Sequence, residues 1–142
     1  MQPGIVFSII AAIAFGLWTV FHDQAAKHVN SLLGAIIVSL TAVILGMFLL
    51  LPHIKTTSLV SNPKGIIFAV LAGICALAID YFALKAYGTG IEVSIAGPII
   101  IGGSIVVAST IGFFMGDSIS IAKIVGLIFV IVGSIVLAVA SK

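Results

Sequence analysis

Residues 66–90 read IIFAVLAGICALAIDYFALKAYGTG, and residues 91–116 read IEVSIAGPIIIGGSIVVASTIGFFMG. Each sequence contains an apolar run of about 20 residues, which is the length that an α-helix needs to cross a bilayer. A Gly-Thr-Gly turn at 88–90 joins the two runs, and Asp80 lies inside the first one. Because a carboxylate within a membrane helix costs at least about 2.5 kcal/mol, Asp80 is the first candidate for a functional residue.

The composition of the whole chain is that of a membrane protein. Of its 142 residues, 62% are hydrophobic and only 7% are charged, which is outside the range of soluble domains. The apolar runs predict five transmembrane helices with connections too short to hold an extramembrane domain. The predicted helices are 5–26, 32–51, 65–87, 94–115 and 121–140. We therefore expect an all-α membrane protein with one domain, residues 1–142.

The six basic residues are all lysines, and five helices would divide them equally between the two sides of the membrane. Lys55, Lys64 and Lys123 fall on the side of the N-terminus, and Lys27, Lys85 and Lys142 fall on the other side. An excess of positive charge on the cytoplasmic side normally sets the orientation of a membrane protein. Without such an excess, either another feature fixes the orientation or the chain inserts in both orientations.

The third helix carries small residues on the same face as its acid. At 100° per residue, one face of this helix contains Gly73, Ala76, Asp80, Ala83, Leu84 and Tyr87. The small side chains leave a concavity beside Asp80, so we expect Asp80 and Tyr87 to bind substrate and Asp80 to bind a coupling proton or cation. The alternative is a protonated acid that is hydrogen-bonded to a Ser or Thr on another helix.

The first helix ends with a second group of polar residues. Trp18 and His22 are four residues apart, so both could line the wall of a binding cavity. Asp23 and Lys27 have the spacing and the order of a favourable helical ion pair. The alternative is a neutralised charge pair where the helix leaves the membrane, with Trp18 in the aromatic belt of the interface.

The fourth helix contains features that weaken a membrane helix. Pro98 and the pair Gly102-Gly103 free backbone groups that need partners at membrane depth, as in helices that line transport pathways. A simple kink is the alternative. Small residues also recur along helices four and five, and such faces allow helices to pack closely, either within one chain or between two. The packing candidates are Gly112, Gly126 and Gly133.

Two further acids lie in the connections between helices. Thr89 and Glu92 match a capping box immediately before an apolar run, which explains Glu92 as a cap without excluding a role as a ligand. Asp117 and Ser118 precede the fifth helix and could cap its backbone N–H groups. We therefore assign both acids to helix termini.

The sequence does not predict catalysis or a cofactor. Cys75 is the only cysteine, so the sequence offers neither an intrachain disulfide nor a thiolate metal site. No nucleophile lies at helical spacing from a base, and no nucleotide-binding motif is present. We expect no enzymatic activity, no metal, no cofactor and no nucleic-acid partner.

Four stretches then connect the chain to a known family. They are Gly16-Leu17-Trp18, the YFALKAYGTG turn, Gly97-Pro98, and the ending GDSISIAKIVGLIFVIVGSIVLAVA. In their order and spacing, the chain resembles a single EamA-type repeat of the drug/metabolite transporter superfamily over essentially all of its length. It departs from the family in having Asp117 where glutamate is commoner. It also has Asp80 in a stretch that is usually apolar or aromatic, which leaves the type of substrate open.

The resemblance implies half of a ten-helix transporter. Most members of the family contain two such repeats, inverted with respect to each other in the membrane, and two oppositely inserted copies of a five-helix chain would give the same plan. The equal division of lysines suits this dual-topology homodimer. Helices one, three and four would then line a cavity, and helices five and four would supply contacts behind it. The related small multidrug resistance proteins have their membrane glutamate in the first helix, so their mechanism does not carry over.

The resulting expectation is a secondary transporter, an exporter of small metabolites or organic cations, that works by alternating access. Its partners would be membrane lipid, a small-molecule substrate and a second copy of the chain, in the inner membrane of a prokaryote. One alternative is a non-transporting membrane subunit that docks on a larger complex. Another is a lipid flippase of the same fold.

Overall fold

The computed structural model describes residues 3–54, 59–60 and 62–140. Five α-helices are long and apolar enough to cross a membrane. They are α1 (Pro3–Ala26), α2 (Ser31–Leu50), α3 (Pro63–Tyr87), α4 (Val93–Phe114) and α5 (Ile121–Ala140), with one turn of 3₁₀ helix, Leu51–His53, after α2. The described residues form helices and turns only, which confirms the predicted all-α membrane fold.

Side-chain amides and prolines determine where the helices begin. The side chain of Asn30 accepts a hydrogen bond from the backbone N–H of Leu32 at the start of α2 (3.0 Å). Asn62 does the same for Lys64 in α3 (2.9 Å), and Pro63 occupies the first turn, where a missing N–H costs nothing. These caps place the start of each helix one or two residues before the predicted position.

The predicted capping box before α4 is wrong. Glu92 itself is the N-cap residue of this helix, and its side chain makes no capping hydrogen bond. The carboxylate instead accepts a hydrogen bond from the hydroxyl of Ser94 (3.2 Å). Gly90 has a φ of 87°, which only glycine adopts without strain, so the turn continues past Thr89 before the helix begins.

The predicted cap of α5 by Asp117 and Ser118 is also wrong. The hydroxyl that faces the first turn is that of Ser120, which accepts a hydrogen bond from the N–H of Lys123 (3.3 Å). The backbone N–H of Asp117 donates to the carbonyl of Gly112 (3.0 Å), so Asp117 closes the end of α4 instead.

The chain forms two compact units. The first unit comprises Met1–Phe21 and Thr89–Lys142, and the second comprises His22–Gly88. Within the first unit α4 packs against α5, and within the second unit α2 packs against α3. Large apolar side chains such as Phe7, Phe48 and Phe68 are exposed along the helices. In a bilayer these side chains face lipid, because hydrocarbon is the solvent of the outer surface.

Small residues allow the close packing within each unit. In the second unit, a Cβ atom added at Gly34 would lie 2.7 Å from Cδ1 of Leu84. Leu84 is only 1% exposed, and Ala35, which follows Gly34 in α2, is fully buried. In the first unit, a Cβ atom at Gly102 would meet the hydroxyl of Ser134 on α5. Glycine at both positions therefore sets how closely the paired helices approach.

Candidate functional site

The second unit contains a group of buried polar side chains. They come from the last turns of α1 and from the C-terminal half of α3, and they are His22, Asp23, Asp80 and Tyr87. Ionisable residues are rarely buried in a membrane protein unless they are paired or functional. We refer to these four residues as the polar cluster.

An ion pair between two helices forms the centre of the polar cluster. Nε2 of His22 lies 3.2 Å from Oδ1 of Asp80, and the side chains are 3% and 10% exposed. The imidazole of a histidine carries one positive charge when both ring nitrogens hold a proton and is neutral otherwise. The pair is therefore neutral when the imidazole is protonated and carries one negative charge when it is not.

The sequence offered a Ser or Thr on another helix as the alternative partner of Asp80. The structure places His22 beside Asp80, at ion-pair distance. The sequence already indicated that His22 and Asp80 lie at similar depths in the membrane. His22 is four residues before the end of α1, and Asp80 is seven residues before the end of α3. Since α2 reverses the chain once between them, both helices end on the same side of the membrane.

The second acid of the polar cluster has partners of its own. Oδ2 of Asp23 accepts hydrogen bonds from Nζ of Lys27 (2.7 Å) and from Nε2 of Gln24 (2.8 Å). The predicted pair of Asp23 and Lys27 is thus confirmed. The lysine side chain is 50% exposed, whereas the carboxylate is largely buried. Asp23 consequently lies at the boundary between the polar cluster and the surface.

Tyr87 completes the polar cluster at the end of α3. The residue is 2% exposed, and its hydroxyl makes no hydrogen bond within the part of the chain that the structure describes. The ends of α1 and α3 are close at this point, since a Cβ atom at Gly88 would lie 3.9 Å from the carbonyl oxygen of Ala26. Lys85 points elsewhere, with Nζ 5.8 Å from the ring centre of Tyr81.

Two predicted substrate-binding residues belong to the first unit. Trp18 is partly buried and stacks on Phe15, with ring centroids 4.9 Å apart. Pro98 lies inside α4, and its carbonyl accepts a hydrogen bond from the hydroxyl of Ser134 (3.3 Å). A side chain of α5 therefore bonds to the backbone of α4 at the proline. The structure thus groups His22, Asp80 and Tyr87 in one unit and Trp18 and Pro98 in the other.

The three glycines predicted to mediate helix packing have different surroundings. A Cβ atom at Gly112 would lie 2.5 Å from Oδ2 of Asp117, so the Asp117 carboxylate rests directly on this part of α4. A Cβ atom at Gly126 or Gly133 would have nothing within 4 Å. Both glycines of α5 therefore lie in open space within the described chain, and they remain candidates for contact with another molecule.

The described residues contain no group of three or more His, Cys, Asp and Glu side chains that could hold a metal ion. The polar cluster brings together two carboxylates, an imidazole and a phenol hydroxyl, which are groups that form charge pairs and hydrogen bonds. Its acids and its histidine can bind a proton or a cationic group, and the neighbouring tyrosine offers a neutral hydroxyl.

A comparison with known families confirms the resemblance seen in the sequence. The profile of the EamA-like transporter family matches residues 2–139, which is almost the whole chain. No curated protein and no solved structure is significantly similar to the chain. The family match therefore carries the functional argument, together with the geometry of the polar cluster.

Proposed function

Because the chain belongs to the EamA-like transporter family, we propose that it is a secondary transporter that exports small metabolites or organic cations. It is a multi-pass integral membrane protein, with five helices of transmembrane length. The observation that carries the proposal beyond the family is the buried pair of His22 and Asp80. A buried ionisable pair of this kind can couple two fluxes, because its charge changes when it binds or releases a proton.

The proposed coupling follows from the charge of this pair. A protonated His22 neutralises Asp80, and the pair then has no electrostatic attraction for a cation. When the proton leaves, one negative charge remains in a site of low dielectric constant, and a cationic substrate can neutralise it. Proton and substrate thus exclude each other at Asp80. Each passage of a cation in one direction is then linked to the passage of a proton in the other.

Alternating access requires a second, inverted half, which we assign to a second copy of the chain. An antiparallel homodimer of five-helix chains has ten helices and an inverted repeat. The equal division of lysines permits both orientations, and the open surface at Gly126 and Gly133 suits close contact between helices of two copies. The roles of Trp18 and Pro98, which belong to the other unit, stay predictions from the sequence. The proposed location is the cell membrane of a prokaryote.

The test is proton-coupled transport by the purified chain in proteoliposomes. Benzylammonium is applied outside, and a pH-sensitive dye inside reports the exchange of protons for the cation. We expect Asp80→Asn to reduce the exchange at least tenfold, because the amide keeps the shape of the side chain but cannot carry the charge. Asp117→Asn is the matched control, since this acid lies in the exposed connection before α5, and it should retain the exchange.

The result can contradict the proposal in two ways. Full exchange by the Asp80→Asn variant would remove Asp80 from the coupling mechanism. No exchange by the unmodified chain, with either benzylammonium or a panel of neutral metabolites, would favour a membrane subunit without transport activity.

A further inference from the structure

The hydroxyl of Tyr87 belongs to the polar cluster but takes part in neither of its ion pairs. The side chain is 2% exposed, and within the described chain the hydroxyl has no hydrogen-bond partner. A buried hydroxyl without a partner loses the hydrogen bonds that it would make to water. Such groups are rare in native structures, and a bound water, ion or ligand is one explanation of them.

The charges near Tyr87 restrict what this partner can be. The end of α1, which carries Asp23, approaches the end of α3 beside Tyr87, and Asp80 lies two helical turns earlier on the same face of α3. A phenol can donate or accept a hydrogen bond. An anionic partner would be repelled by the two carboxylates, whereas a cation is attracted to them. The partner that suits this environment has a positive charge and N–H groups that donate to the phenol oxygen.

The hydrogen bonds of Asp23 support the same conclusion. Both of the bonds that its side chain accepts in the described part of the chain fall on Oδ2, from Lys27 and from Gln24. Its other oxygen can therefore accept a bond from an ammonium group near Tyr87. If His22 is neutral, Asp23, Asp80 and Lys27 together carry one net negative charge, which a single ammonium group would balance.

We propose that the Tyr87 hydroxyl selects protonated amines over quaternary ammonium ions, by accepting a hydrogen bond from the substrate while the carboxylates of the polar cluster supply the attraction. This inference rests on the proposed transport of cations. It narrows the substrate class to amines that keep at least one N–H group. A quaternary ammonium ion has the same charge but no donor, so it leaves the buried hydroxyl without a partner.

The experiment compares two cations of the same charge, of which only one has N–H donors. Binding of benzylammonium and of benzyltrimethylammonium to the purified full chain is measured by isothermal titration calorimetry. For the unmodified chain we expect benzylammonium to bind about tenfold more tightly, since a hydrogen bond to a charged group contributes that much or more. Tyr87→Phe should weaken benzylammonium binding about tenfold and leave benzyltrimethylammonium binding unchanged.

Tyr81→Phe is the matched control on the same helix, and it should change neither affinity. The melting temperature shows whether the hydroxyl has a structural role instead. We expect Tyr87→Phe to keep or raise it, because the substitution removes a buried polar group that has no partner.

The remaining outcomes contradict either the selection by Tyr87 or the proposed transport of cations. An unchanged ratio of affinities in Tyr87→Phe, with both cations bound, overturns the selection by Tyr87 and leaves the transport proposal standing. Equal affinities in the unmodified chain do the same. A failure of the unmodified chain to bind either cation overturns the cationic substrate class, and the role of Tyr87 with it.

Discussion

At the scale of single residues, burying the pair of His22 and Asp80 costs free energy. Moving two ionised groups out of water is expensive, and their attraction offsets this only when the geometry is good. Replacing a buried ion pair by apolar residues is often neutral or stabilising, so stability alone is a weak reason for the pair to exist. The burial of the pair is consistent with the proposed exchange of a proton at His22 and Asp80.

The same argument predicts how the pair responds to the loss of one partner. His22→Ala leaves the Asp80 carboxylate buried without its imidazole, which should lower the free energy of unfolding by about 3 kcal/mol. Adding Asp80→Asn to this variant removes the unbalanced charge and should restore part of the loss. Thermal unfolding of the purified variants in detergent measures both effects.

Lys27→Ala is the control for a pair that is open to solvent. The lysine side chain is 50% exposed, so its removal should cost only about 0.5 kcal/mol. If His22→Ala were no more destabilising than Lys27→Ala, the distance between His22 and Asp80 would not reflect an energetically coupled pair.

Some of the polar cluster could be predicted from the sequence, and some could not. The helical period places Asp80 and Tyr87 on one face of α3, and the spacing of Asp23 and Lys27 predicts their ion pair. The contact of His22 with Asp80 depends on how far each helix is rotated about its own axis. No local pattern fixes that rotation, because it results from contacts between helices that are distant in the sequence.

At the scale of helices, the contact between α4 and α5 includes a glycine at a position where a larger side chain would collide. Gly102 is buried, and a Cβ atom there would meet Ser134, whose hydroxyl bonds to the carbonyl of Pro98. The γ carbon of Val130 would also be close, at 3.3 Å. An added methyl group therefore forces Ser134 away from Pro98 or separates the two helices.

Gly102→Ala should consequently destabilise the protein, by about 1–3 kcal/mol for an overpacked contact. The matched control is Gly103→Ala at the next position, where a Cβ atom would have nothing within 4 Å. That variant should be neutral or slightly more stable, because alanine favours a helix more than glycine does. Melting temperatures of the two variants, measured side by side, test the difference.

A third variant identifies the cause. Combining Gly102→Ala with Ser134→Ala removes the hydroxyl that the methyl group would meet, so the two changes together should cost less than their sum. Strict additivity would show that Ser134 is not the obstacle.

The helices themselves were predictable, whereas their caps were not. All five predicted helices exist, and their ends differ from the prediction by at most two residues. Apolar length and turn residues determine these features, and both are read directly from the sequence. The capping residues depend on where the turn ends, as the positive φ of Gly90 shows by delaying α4 beyond Thr89. A match to Thr-x-x-Glu could not reveal this delay.

At the scale of the whole molecule, the division of charge is the main argument for two orientations. Five helices place the termini on opposite sides of the membrane, and three lysines fall on each side. With no bias to guide insertion, both orientations should form in similar amounts. An antiparallel homodimer needs equal numbers of the two, so the insertion step alone would supply its components.

Labelling of single cysteines on intact cells tests this expectation. In a Cys75→Ala background, Thr89→Cys and Ile119→Cys each place one thiol in a connection, and five helices put these connections on opposite sides. If the chain inserts in both orientations, a membrane-impermeant maleimide should label about half of the molecules at each position. Permeabilised cells give the total for each variant. Complete labelling at one position and none at the other would show a single orientation, and the inverted half would then have to come from a different chain.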